Sequence, residues 1–63
     1  MKITLSAARH NKKLLQKDLA IACGVSRKTI GAWERGTSMP TPCKIDILCS
    51  VLDVSYDDIK WKP

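Results

Sequence analysis

The sequence predicts an all-α fold: a compact bundle of five short helices around one core, in a single domain spanning residues 1–63. Three observations carry this prediction. Apolar residues recur at helical spacing, as in Ile45, Leu48, Cys49 and Leu52, which follow the i, i+3, i+4, i+7 pattern of an amphipathic helix. Residues that start or stop helices punctuate the chain at short intervals. No segment alternates with period two, so no strand is expected. A chain of 63 residues is enough for one domain and buries only ~60% of its unfolded surface. With no Phe, its core must come from Leu, Ile, Val and Ala.

Thr4 or Ser6 caps a first helix that runs to about Asn11 or Lys12, with Leu5 and Ala8 facing inward. The second helix begins near Gln16, buries Leu19, Ala20 and Cys23, and stops at Gly24. Ser26 caps the third, where Ile30 and Trp33 face inward and Gly36 marks the end. A loop, "TSMPTP", leads to a fourth helix with Thr41 as cap and Pro42 at its first position, where a missing N–H costs nothing. Ser55, followed three residues later by Asp58, resembles a capping box for a short fifth helix to about Lys60.

Charge is unevenly spread. Residues 1–44 hold nine Lys or Arg against Asp18 and Glu34, whereas residues 45–63 hold two Lys against four Asp. A basic body suits a polyanionic partner. The three cysteines, Cys23, Cys43 and Cys49, include no CxxC pair. Cys43 and Cys49 are turned ~240° from one another on a helix, so they cannot share a metal on one face and read as small apolar residues of a reducing compartment. The single His10 has no ligand partner at metal-binding spacing, and Asp57 and Asp58 serve a helix start. No nucleophile–base constellation is present. With no signal peptide and no span of ~20 apolar residues, the expectation is a cytoplasmic protein that uses no cofactor, metal, membrane or small-molecule substrate and is not an enzyme.

The stretch "QKDLAIACGVSRKTIGAWERG" joins two helices through "CGV". Helices linked so tightly meet at roughly 90–120°. The corner demands a small residue, Ala20, a residue tolerant of positive φ, Gly24, and an apolar plug, Val25. This signature, extended to "LLQKDLAIACGVSRKTIGAWERG", "MPTP" and "LDVSYDDI", resembles the helix-turn-helix family of lambda-type phage repressors, Cro proteins and related bacterial regulators. The matching positions are Gln16, Leu19, Ala20, Gly24, Val25, Ser26, Thr29, Ile30, Trp33, Glu34, Gly36, Val54 and Ser55. The ending "VSYDDI" resembles the small phage-type regulators in particular.

The resemblance implies binding to double-stranded DNA, with the third helix entering the major groove by its N-terminal end. Arg27 and Lys28 suit the guanine acceptors, Thr29 stands beside them, and the Ala32 methyl suits a thymine methyl. Phosphate contacts are implied for Gln16, Lys17, Ser26, Arg35, Thr37, Ser38 and Lys44. An ion pair between Arg9 and Glu34 is implied as a packing device, with Arg9 as a phosphate clamp the alternative. Gly31 and Ala32 stand where many relatives carry longer polar side chains, so fewer base contacts and more reliance on DNA shape are expected. Gly31 either allows close approach to the DNA backbone or is simply tolerated, at ~1 kcal/mol of helix stability.

A sequence-specific transcription regulator, a repressor of phage or prophage type, is the leading reading. A dimer is expected, at least on DNA. Without an added dimerisation domain it would use Val51, Val54, Tyr56 and Trp61; for Trp61, packing on its own chain is favoured over an interface. The alternative is a helix-turn-helix fold used as a protein-interaction module, antitoxin-like or antirepressor-like.

Overall fold

The computed structural model describes residues 2–62; Met1 and Pro63, the ends of the expected domain, lie outside the described residues. Four α-helices form: α1 (Leu5–Asn11), α2 (Gln16–Cys23), α3 (Arg27–Arg35) and α4 (Pro42–Leu52). Several boundaries have a visible local cause, although Thr41, which stands at the cap position of α4, makes no side-chain cap hydrogen bond and leaves that start to Pro42. The Thr4 hydroxyl accepts from Ala7 N–H at 3.0 Å and starts α1. Asp18 at the third position of α2 accepts the Leu15 N–H at 2.7 Å. Ser26 accepts from Thr29 N–H at 3.2 Å and starts α3; a cap of this kind contributes ~1 kcal/mol. Gly24 (φ 70°) and Gly36 (φ 77°) stop α2 and α3 in the left-handed region. There their backbone N–H groups close onto the last helical turns.

The core draws on every helix. Leu5 and Ala8 of α1, Leu19, Ala20 and Cys23 of α2, Ile30 and Trp33 of α3, and Leu48 and Leu52 of α4 are buried together with Ile59. Val25 packs on this cluster as the corner plug between α2 and α3. The Cys23 thiol is pushed up by burial, an effect tempered by the nearby Lys44 ammonium. The Cys49 thiol is also pushed up, by burial and then by Asp46 and Asp58. Both are therefore kept in the unreactive thiol form.

The C-terminal segment departs from expectation. In place of a fifth helix from Ser55 to about Lys60, a 3₁₀ turn spans Tyr56–Asp58, and the chain then extends. A two-residue strand β2 (Ile59–Lys60) pairs in parallel with β1 (Ile3–Thr4), placing Ile3 beside Ile59. The expectation of no strand fails with it. The capping chemistry does operate locally: Asp58 accepts the Ser55 N–H at 2.9 Å. One turn later the helix is abandoned: Ile59 is extended, pairs with Ile3 and is 1% exposed. Two residues are too short for any periodicity to show. Trp61 packs on its own chain: its indole N–H donates to the Tyr56 carbonyl at 3.2 Å, its ring stacks on Tyr56, and it lies against the core.

Candidate nucleic-acid interface

One carboxylate ties three helices together. Glu34, near the end of α3, accepts from Arg9 Nε at 2.7 Å and Nη2 at 3.4 Å, and from Gln16 Nε2 at 2.9 Å. The remaining Arg9 nitrogen, Nη1, donates to the Leu14 carbonyl at 2.9 Å. The two charged side chains are only 9% and 8% exposed. Arg9 of α1, the segment before α2, the first residue of α2 and the last turn of α3 are thereby held in one hydrogen-bonded unit. This fixes the direction of Gln16: one Nε2 hydrogen is spent on Glu34, and the other is left for an outside acceptor.

Beside this unit lies a concave notch lined by Arg9, Leu15, Gln16, Lys17, Arg27, Lys28, Gly31 and Arg35. The notch forms because α2 and α3 present their N-terminal ends to the same side. The free N–H groups of a helix start favour an anion. Lys17, Arg27, Lys28 and Arg35 make no hydrogen bond or ion pair among the described residues. Four cations gathered without an acceptor favour an anion at this notch.

The structure brings together some of the residues singled out in the sequence and leaves others apart. Gln16, Lys17, Arg27, Lys28 and Arg35 share the notch. Ser26 lies at the start of α3, but its hydroxyl is engaged as the cap and meets the Thr29 hydroxyl at 3.1 Å. Thr29 is half-buried, and so is Ala32. Thr37 and Ser38 are exposed after α3, with the Thr37 hydroxyl donating to the Ala32 carbonyl at 3.2 Å. Lys44 has an intramolecular role: its Nζ donates to the Cys23 carbonyl at 2.6 Å, satisfying the C-terminal end of α2 where a cation complements the helix dipole. That end is ~10 Å along the helix from Gln16.

Sequence reasoning overlooked Leu15, an exposed residue that forms one wall of the notch. It also left open what Gly31 does there. A Cβ on Gly31 would come 3.1 Å from Arg35 Nη1 and 3.9 Å from Gln16 Nε2. The i, i+4 relation of Gly31 and Arg35 on one helix face was the available signal.

Comparison with known proteins identifies the family. A family model described as helix-turn-helix matches residues 5–59. The antitoxin PezA of Streptococcus pneumoniae serotype 4 is 36% identical over 55 residues, covering 87% of this chain. The chain spans about a third of that protein's length, 35%. Among the described residues, no helix is long and apolar enough to cross a membrane. With the match reaching from α1 to Ile59, the chain belongs to the helix-turn-helix family of lambda-type phage repressors, Cro proteins and related bacterial regulators, a family of DNA-binding regulators.

Proposed function

We propose that this protein is a sequence-specific transcription regulator of repressor type, as in a phage or prophage, that places α3 in the major groove of an operator. The observation that supports this reading most is the cationic notch: Lys17, Arg27, Lys28 and Arg35 gather around Gln16 at the N-terminal ends of α2 and α3. Arg27 and Lys28 read base edges, with Thr29 and the Ala32 methyl adding to the readout. Gln16, Lys17 and Arg35 hold phosphate, with Ser26, Thr37 and Ser38 along the flanks. Lys44 spends one of its three ammonium hydrogens on the Cys23 carbonyl, and the other two are left for a phosphate. A two-fold operator calls for a dimer on DNA. Of the four residues proposed for its interface, Val51 and Tyr56 are the exposed ones, while Val54 and Trp61 are partly committed to the chain's own core.

Selection of binders from a pool of random duplexes at near-physiological salt tests this reading. Two half-sites about one helical turn apart are the expected product. Salt-sensitive binding to every duplex, with no enrichment, would refute sequence-specific readout.

Two substitutions separate the roles. Arg27→Ala is expected to cost ~1–3 kcal/mol of binding and to relax the preference at one base pair. Gln16→Ala is expected to weaken binding to all duplexes by ~1 kcal/mol and to leave the preferred site unchanged. Electrophoretic or anisotropy titrations on a panel of single-base operator variants read both patterns, and an exchange of the two patterns would reverse the assignments.

A second reading is favoured by the likeness to PezA, a protein named as an antitoxin. On that reading the same fold serves an antitoxin, either as its DNA-binding part or as a surface that holds a protein partner. The retention of Arg27 and Lys28 on the exposed start of α3 favours DNA over a protein partner.

A further inference from the structure

Arg35 is exposed, yet its guanidinium does not simply extend into solvent: it lies over Gly31, one helical turn back, at the floor of the notch. A side chain on Gly31 would begin 3.1 Å from Arg35 Nη1, tighter than a comfortable contact, and 3.9 Å from Gln16 Nε2. Gly31 has a helical φ, so the backbone does not require glycine here. What the missing Cβ provides is room. Among the described residues no acceptor holds Arg35 in this position, so the space itself is what admits it.

We propose that Gly31 is a positioning residue: the space left by its missing side chain seats the Arg35 guanidinium beside Gln16. One DNA phosphate then receives an arginine and a glutamine N–H together. The proposal rests on the DNA-binding reading above. It also gives a reason for a glycine inside the recognition helix, where glycine is otherwise unfavourable. Adding a methyl at position 31 displaces the far end of a flexible side chain and not the backbone. The fold therefore survives the change and Arg35 alone moves.

The test uses the full chain, wild type and the variants Gly31→Ala, Arg35→Ala and the double variant, titrated by anisotropy onto a labelled random-sequence duplex across a range of KCl. Phosphate contacts are sequence-independent, so no operator is needed. Arg35→Ala is expected to lower the slope of log affinity against log salt by about 0.9, the value for one phosphate contact. Gly31→Ala is expected to lower it by a similar amount while melting no lower than wild type. The double variant should bind like Arg35→Ala alone. In the free protein, the Arg35 Nε–H resonance should shift in Gly31→Ala, which reports the seat independently of DNA.

An unchanged slope in Gly31→Ala overturns the proposal, and so does an unchanged Arg35 resonance. Additive losses in the double variant also overturn it, because Gly31 would then act on DNA directly. Absence of any duplex binding by the wild type at low salt would sink the DNA reading itself, an outcome distinct from these.

Discussion

Glu34→Ala is expected to destabilise the fold by ~3–5 kcal/mol, because it leaves the Arg9 guanidinium buried without its counter-charge. Arg9 is 7% exposed, and its partner accepts two of its three donor nitrogens. For a 63-residue chain the whole stability is only roughly 3–9 kcal/mol, so the loss is comparable with everything the fold has. Thermal melting followed by circular dichroism should show a fall of well over ~10 °C, since each kcal/mol moves the midpoint by about 4–8 °C at this size. The effect should persist in high salt, unlike that of the exposed Lys12–Asp53 pair at 3.7 Å. Replacing both partners by apolar residues, Arg9→Met with Glu34→Leu, should recover much of the loss, because desolvation no longer opposes burial. A midpoint unchanged in Glu34→Ala would show that the pair adds nothing to the fold. The double variant also loses the anchor for Gln16, so it should bind DNA more weakly than its stability suggests.

Ile59→Ala is expected to cost ~2–5 kcal/mol, the range for truncating a buried aliphatic side chain. Ile59 is 1% exposed, sits in the main core cluster and is paired with Ile3 from the other end of the chain. Ile59→Val, which keeps the β-branch that suits an extended backbone, should cost only ~0.5–1.5 kcal/mol. Equilibrium urea unfolding of both variants measures the difference. A loss below that of the valine variant would mean that the C-terminal segment docks on the core without contributing to it. Ile59 does not line the notch, so DNA affinity measured well below the melting temperature should be unchanged.

The two predictions differ in how they could be anticipated. The Arg9–Glu34 pair was expected from resemblance to relatives, and nothing in the spacing of residues 9 and 34 would have disclosed it. The extended geometry at Ile59 was missed because local signals pointed the other way. Ser55 and Asp58 do make a helix-like start. The strand that follows is stabilised by a partner at the opposite end of the chain, which a window of neighbouring residues does not contain.

The candidate interface divides along the same line. The placement of Arg27 and Lys28 at the exposed start of α3 was legible because a helix start is a local property; their role on DNA is a proposal. Lys44 was expected as a phosphate contact from the resemblance; its hydrogen bond to the Cys23 carbonyl at the C-terminal end of α2 is a contact that sequence did not disclose. Gly31 was read as either allowing close approach to the DNA backbone or being tolerated at a cost to the helix; the nearness of the Arg35 guanidinium, 3.1 Å from where its Cβ would be, is visible only in the structure.

Sequence alone determined the ends of the helices and the face each one buries. Those outcomes depend on interactions within a turn or two: Thr4 and Ser26 capping their own helices, Gly24 and Gly36 adopting positive φ, and apolar residues recurring every three or four positions. Tertiary structure alone decided the β1–β2 pairing, the single carboxylate that orients Gln16, and the gathering of four unpaired cations in one notch. The physical reason is range. A cap or a helical period is an energy between near neighbours, so it can be read from the order of residues. A buried charge or a two-residue strand takes its energy from whichever distant segment the fold brings against it.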